Sequence, residues 1–167
     1  RNTLLKKMAK NGSLLEDTLD VWDKQLCAYG TKLAEERKSF IEDLNLKAEK
    51  IHGDISANKE SLKIEYKESV DYSNFYEKMV KNRDKDIFYG NTCVGIHKDD
   101  MVFYINGNNA RDYASQGQQR TICLSLKMAE VELINEKTGA YPVLLLDDVL
   151  SELDKNRQDY ILKSINN

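Results

Sequence analysis

Proline and histidine are nearly missing from this sequence of 167 residues: Pro142 is the single proline, and His52 and His97 are the two histidines. With only eight glycines as well, an extended, loop-rich architecture is excluded and long helices are favoured. Three cysteines, Cys27, Cys93 and Cys123, stand far apart. An odd, unclustered set fits neither a disulfide framework nor zinc spacing, and suits a reducing, cytoplasmic setting. No apolar run approaches the roughly 18–20 residues that span a bilayer, and no secretion signal opens the chain. Excess charge of one sign is lacking too: 25 Lys and Arg stand against 28 Asp and Glu, a net charge of −3. Before Gly90 there are 17 basic and 17 acidic residues, and from it onward 8 and 11. A simple basic DNA-binding domain is therefore excluded, and any DNA contact needs a local patch or residues outside this sequence.

What is present is a hydrophobic fraction of 41%, enough for a core, and 32% charged residues, typical of a water-exposed surface. The length suits one domain, or one small domain with an appendage. The sequence opens on Arg1 rather than Met and is expected to be a piece of a longer protein. Ser13-Leu14-Leu15-Glu16 has the form of a capping box, followed by a proline-free segment to about Ser56. Leu19, Leu26, Leu33 and Phe40 keep a heptad beat, and Leu44 with Ile51 and Ala48 with Ile55 continue the stripe. About 40 helical residues would reach roughly 60 Å, so the segment should form an arm, packed internally or paired with a second copy. Gly30-Thr31 is a place where it could kink.

Beyond the arm, Leu62, Ile64 and Tyr66 alternate with Lys63, Glu65 and Lys67, which predicts a half-buried strand. A short helix is expected from Tyr72 to about Arg83, then strands over Thr92–Ile96 and Met101–Ile105, the second closed by Asn106-Gly107. A further helix should run from near Ser115 to about Glu136, with Ile122, Leu126, Ala129 and Leu133 on one face and Gly139 at its end. Val143–Leu146 reads as a short apolar strand of the kind buried on both faces of a parallel sheet.

Chemistry gathers at two places. Pro142 to Asp148 is an apolar strand ending in two acids, and the C-terminal edge of such a strand is where α/β proteins bind ligands. In P-loop nucleotide hydrolases the acid at that point helps hold Mg²⁺, a place that Asp147 takes here, with Asp148 next to it to polarise an attacking water. Upstream, Ser115-Gln116-Gly117-Gln118 opens a helix: Ser115 can cap it, Gly117 lets backbone approach a ligand, and the helix dipole favours a phosphate. Taken singly, each place also fits a plain structural reading, a capped helix start or an exposed strand end.

The order of the pieces narrows the choice. A Ser-x-Gly-Gln helix start, an amphipathic helix, Leu144-Leu145-Leu146-Asp147-Asp148 and then Ser151-Glu152-Leu153-Asp154 resemble the signature motif, Walker B strand and D-loop of ABC-type ATPases. The wording of Ala114 to Thr121, of Leu145 to Asp154 and of Gly95-Ile96-His97-Lys98-Asp99-Asp100 is similar to the RecF family. So is that of Leu19-Asp20-Val21-Trp22-Asp23 and Ile51-His52-Gly53-Asp54-Ile55-Ser56 in the arm. The resemblance implies an α/β fold: a fragment of an ABC-type P-loop ATPase head, with a small antiparallel β part and a long helical arm. Residues 1–60 would be the arm, 61–110 a β-rich connecting segment with a short helix, and 111–167 the C-terminal part of the head.

It further implies ATP and Mg²⁺ as cofactors, in a composite site formed by two copies. Asp147 would be the Mg²⁺-linked acid and Asp148 the catalytic base, where many ABC relatives carry Glu, so that hydrolysis is slow. Ser115, Gln116, Gly117 and Gln118 would meet the γ-phosphate of nucleotide held by the other copy, and Ser151 and Asp154 would form the D-loop across that interface. The implied partners are DNA at gapped or single-strand/double-strand junctions, RecR and RecO, RecA indirectly, and a second copy of the full-length protein.

One departure is plain: no Gly-x-x-x-x-Gly-Lys-Ser/Thr stretch occurs, so the phosphate cradle is missing and this sequence alone should not turn over ATP. His97 precedes the signature and reads as a loop residue rather than a switch histidine. Arg37, Lys38, Lys47 and Lys50 on the arm can meet phosphates, although the even charge balance reads more simply as a solvated helix face. Two other classes stay open, the ATPase subunit of a membrane transporter and a structural helical assembly module. Transporters usually show Ser-Gly-Gly-Gln where Ser115-Gln116-Gly117-Gln118 stands here.

Overall fold

The computed structural model describes residues 1–11, 16–145 and 158. In chain order the elements are α1 (Asn2–Asn11), α2 (Glu16–Ile55), β1 (Leu62–Lys67), a 3-10 turn (Tyr72–Asn74), α3 (Phe75–Lys81) and α4 (Arg83–Tyr89). A second 3-10 turn (Ile96–Lys98), β2 (Asp100–Ile105), β3 (Asn108–Asn109), α5 (Ala110–Tyr113) and α6 (Gln116–Thr138) follow. The sheet order is β1-β2-β3, with β2 and β3 antiparallel and Tyr104 opposite Asn109. The chain divides into two compact units, residues 1–39 with 66–101, and residues 40–65 with 102–167. No helix among the described residues is long and apolar enough to cross a membrane.

The long arm helix forms as expected, 40 residues without a break, but Gly30 does not divide it. Gly30 serves packing instead. A Cβ there would stand 2.8 Å from Cε1 of Phe75, and one at Gly95 would stand 2.9 Å from Cζ of the same ring. Two glycines thus admit the Phe75 ring into a core with Ala34, Val70, Tyr72 and Met79, against which Cys27, Val94 and Ile96 pack. Because α2 turns its smallest residues toward that ring, the first unit buries Leu19 of the heptad stripe but leaves Leu26 and Leu33 out of this core. Leu26 and Leu33 are 40% and 47% exposed, and with Trp22 and Tyr29 they border an open groove of about 600 Å³. In the second unit the stripe is buried as expected, at Leu44, Ala48, Ile51 and Ile55.

The first unit is tied by charge as well as by apolar contact. Leu5, Met8 and Leu19 form a second small core with Leu4 and Ile87. Beside it the Arg1 guanidinium donates to Asp23 at 2.5 Å and Asp86 at 2.7 Å, and Arg83 donates to Asp23 and Asp20, both at 2.8 Å. Lys24 above all, with the Tyr76 hydroxyl and Arg83, holds the Asp20 carboxyl well below the usual carboxylate range. Asp99 plays a similar part elsewhere in the unit. It accepts from the hydroxyls of Tyr66 and Tyr72 and from the backbone amide of Ser69. Burial alone would raise its carboxyl, but those donors hold it lowered.

The short helix expected from Tyr72 to about Arg83 is present as the first 3-10 turn and α3, and it ends at Asn82, whose side-chain amide donates to the Lys78 carbonyl at 2.8 Å; α4 follows it. Two local expectations are corrected. Thr92–Ile96 forms no strand. The amides of Thr92 and Cys93 donate to side chains, Asn2 at 3.0 Å and Asp86 at 2.8 Å, and Gly95 takes φ 121°. Residues 143–145 belong to no strand, and Val143 and Leu145 are each 88% exposed. The sheet among the described residues is β1-β2-β3, and residues 143–145 add no strand to it. Residue 146, the end of that expected strand, and Ser13, Leu14 and Leu15 of the expected capping box, lie outside the described residues.

Candidate functional site

The helix tip expected from sequence is built from three side-chain caps in a row. The Asn109 side chain accepts from the amide of Arg111 at 2.9 Å and starts the single turn of α5. Ala114 is extended and leads into Ser115, the N-cap of α6. The Gln118 amide donates to Ser115 Oγ at 3.3 Å and the Ser115 amide donates to Gln118 Oε1 at 2.9 Å, a complete capping box. Gln119 Nε2 donates to the Ala114 carbonyl at 3.1 Å. The 23-residue helix ends on Gly139 at φ 74°, as expected for a left-handed cap.

Ser115, Gln116 and Gly117 are exposed at this tip, while Gln118 is half-buried. A helix of this length presents the positive end of its dipole there, which suits an anionic group such as phosphate. Gln118 faces the other way. Its Nε2 donates to Glu60 Oε1 at 3.1 Å, so both ends of its amide are used inside the chain. Asp147, Asp148, Ser151 and Asp154 lie outside the described residues, so the Mg²⁺-linked acid, the base and the D-loop have no described geometry.

Behind the tip runs a polar path absent from the sequence reading. Glu60 Oε2 lies 3.2 Å from Nε2 of His52, a fully buried residue near the end of α2. His52 Nδ1 lies 3.1 Å from Ser125 Oγ, which itself donates to the Thr121 carbonyl at 2.8 Å. Thr121 Oγ1 in turn donates to the Gly117 carbonyl at 2.8 Å. Glu60 and Gln118 are 58 positions apart and Glu60 lies in the link between α2 and β1 without any motif, so only the fold brings them together.

Three of the arm cations proposed for phosphate contact have partners inside the chain. Arg37 donates to the Ile96 carbonyl at 2.9 Å, Lys38 lies 4.0 Å from Glu68, and Lys47 reaches Glu136 at 2.5 Å. His97 Nε2–H donates to the Thr92 carbonyl at 2.9 Å, a loop-holding role.

No protein-family model matches the chain. It is 50% identical over 165 residues to the DNA replication and repair protein RecF of Lachnoclostridium phytofermentans, which covers 99% of this chain and 46% of that protein. The protein of the same name from Lachnospira eligens is 49% identical over 166 residues. Among solved structures, the recombination mediator protein RecF-ATP in the RecFOR pathway superposes with a TM-score of 0.87 at 39% identity, over 98% of this chain and 46% of that one. This chain thus shares the fold of the corresponding part of that ATP-bound relative. The chain spans about half the length of the curated relatives it matches.

Proposed function

Because this chain belongs to the RecF family and corresponds to a C-terminal stretch of its members, we propose that it forms part of an ATP-gated, DNA-binding recombination mediator. The observation that carries the reading is the exposed, side-chain-capped tip of α6 bearing Ser115-Gln116-Gly117, in a fold shared with an ATP-bound relative. Ser115, Gln116 and Gly117 meet the γ-phosphate of nucleotide held by a second copy, and Gln118 completes the tip. Asp147 would hold Mg²⁺, which neutralises charge on the β and γ phosphates when bound. Asp148 orients and deprotonates the attacking water, and its short side chain makes that step slow. By the same resemblance Ser151 and Asp154 would serve as the D-loop. The phosphate cradle comes from sequence that this chain lacks, so binding, dimerisation and hydrolysis belong to the full-length protein.

In that setting the protein closes as a dimer on gapped or junction DNA, in the cytoplasm, and works with RecR and RecO to promote RecA loading. Ser115→Arg in the full-length protein tests the reading. A long cation at the cap blocks the opposite copy's nucleotide, so ATP binding by each protomer persists while ATP-driven dimerisation, read by sedimentation velocity, is lost. Dimerisation equal to wild type refutes the composite site.

A further inference from the structure

The path from the arm to the helix tip has no role in the reading above. The two ends of the Gln118 amide are distinguishable: Oε1 accepts from the Ser115 amide and Nε2 donates to Glu60. A carboxylate only accepts, so Glu60 fixes which way the Gln118 amide is turned. Turned the other way, Gln118 would present an NH₂ group to the Ser115 amide and the capping box would open. Glu60 is itself held from two sides. Its backbone amide donates to Ser56 Oγ at 3.3 Å, and its second carboxylate oxygen faces buried His52 at 3.2 Å. His52 is anchored in turn to Ser125, two turns into α6.

We infer that Glu60, backed by His52, is a positioning residue for the phosphate-facing tip of α6, acting through Gln118. This rests on the composite-site reading of Ser115, Gln116 and Gly117. Gln118 then works inward, as the bridge between the arm's inner end and the cap, and the surface offered to the opposite copy is Ser115-Gln116-Gly117. Any displacement of the Ile51–Glu60 segment is passed to the tip through a charge-assisted hydrogen bond.

The test uses the full-length protein, with ATP as the probe and three variants at one position. Glu60→Ala is expected to weaken ATP-driven dimerisation roughly tenfold, the scale of one charge-assisted hydrogen bond. Glu60→Gln keeps an oxygen that accepts from Gln118 and should return dimerisation to within about twofold of wild type. Glu60→Asp keeps the charge beside His52 but withdraws the carboxylate from Gln118, and should lose several-fold. It also serves where Glu60→Ala does not fold.

The loss should appear in dimerisation and not in the melting temperature or in ATP affinity of the isolated protomer. Wild-type dimerisation in both Glu60→Ala and Glu60→Asp overturns the inference. So does a loss that follows the melting temperature and is not restored by Glu60→Gln, which marks a merely structural contact. If Ser115→Arg abolishes dimerisation while the Glu60 variants do nothing, this inference falls alone. If Ser115→Arg also dimerises normally, the composite-site reading falls and takes it down too.

Discussion

A single methyl group added at Gly30 tests the packing of the first unit. Gly30 lies inside α2, where alanine normally stabilises a helix by about 1 kcal/mol relative to glycine. Here the new Cβ would stand 2.8 Å from Cε1 of Phe75, well inside the roughly 3.5–4.0 Å at which carbon atoms attract. The ring cannot retreat. It is 4% exposed, packs edge-on against Tyr72, and has Gly95 against its far side. Overpacking of this kind costs about 1–3 kcal/mol. Set against the helical gain, Gly30→Ala should destabilise by about 1–2 kcal/mol, read as a lower urea midpoint with an unchanged slope. Adding Phe75→Leu, which removes the ring edge, should make Gly30→Ala less harmful than it is alone, a non-additivity that identifies the contact. A rise of about 1 kcal/mol on Gly30→Ala would refute the reasoning, since it would mean that helix propensity alone governs the site.

Asp23→Ala leaves the Arg1 guanidinium without one buried carboxylate and should cost about 3–5 kcal/mol in the same denaturation assay, with Arg1→Met recovering part of the loss. At high pH, burial followed by the Asp99 contact pushes the Tyr66 hydroxyl up to about 12 and raises that of Tyr72 further. Both protons are therefore held more tightly in the folded state. The stability they add is present below the ordinary value of 10.0 and is lost as pH rises through about 12, visible as late phenolate absorbance beside the other tyrosines. On the acid side, Asp20 and Asp99 are lowered from 3.8, so their contribution is present above that value and fades as pH falls below it. Asp99→Asn should flatten the acid limb of a stability-against-pH curve, and an unaltered limb would remove Asp99 from the account.

Local signals carried much of this molecule. Ser115, Gln118 and Gly139 mark both ends of α6 in the sequence itself, because caps are short-range chemistry. The alternation of Leu62, Ile64 and Tyr66 likewise marks β1. Misreadings came where a distant side chain decided the matter. Leu26 and Leu33 keep the heptad beat, yet Phe75, more than 40 positions away, selects the glycine and alanine face of α2 for burial. Thr92 to Ile96 has strand-forming residues, but Asn2 and Asp86 take its amides first. Glu60 carries no signal at all, since its meaning lies in Gln118 and His52.

The segment from Asn91 to Ile96 shows what such side-chain capture leaves behind. Its amides at Asn91, Thr92 and Cys93 are taken by the Asp86 carbonyl, Asn2 and the Asp86 carboxylate. Its carbonyls at Thr92, Gly95 and Ile96 receive His97, Ser69 and Arg37. A stretch wired in this way is irregular without being sticky. With those groups engaged it offers fewer open backbone positions onto which a stray strand could add, and so carries less of the templating hazard of a bare sheet edge.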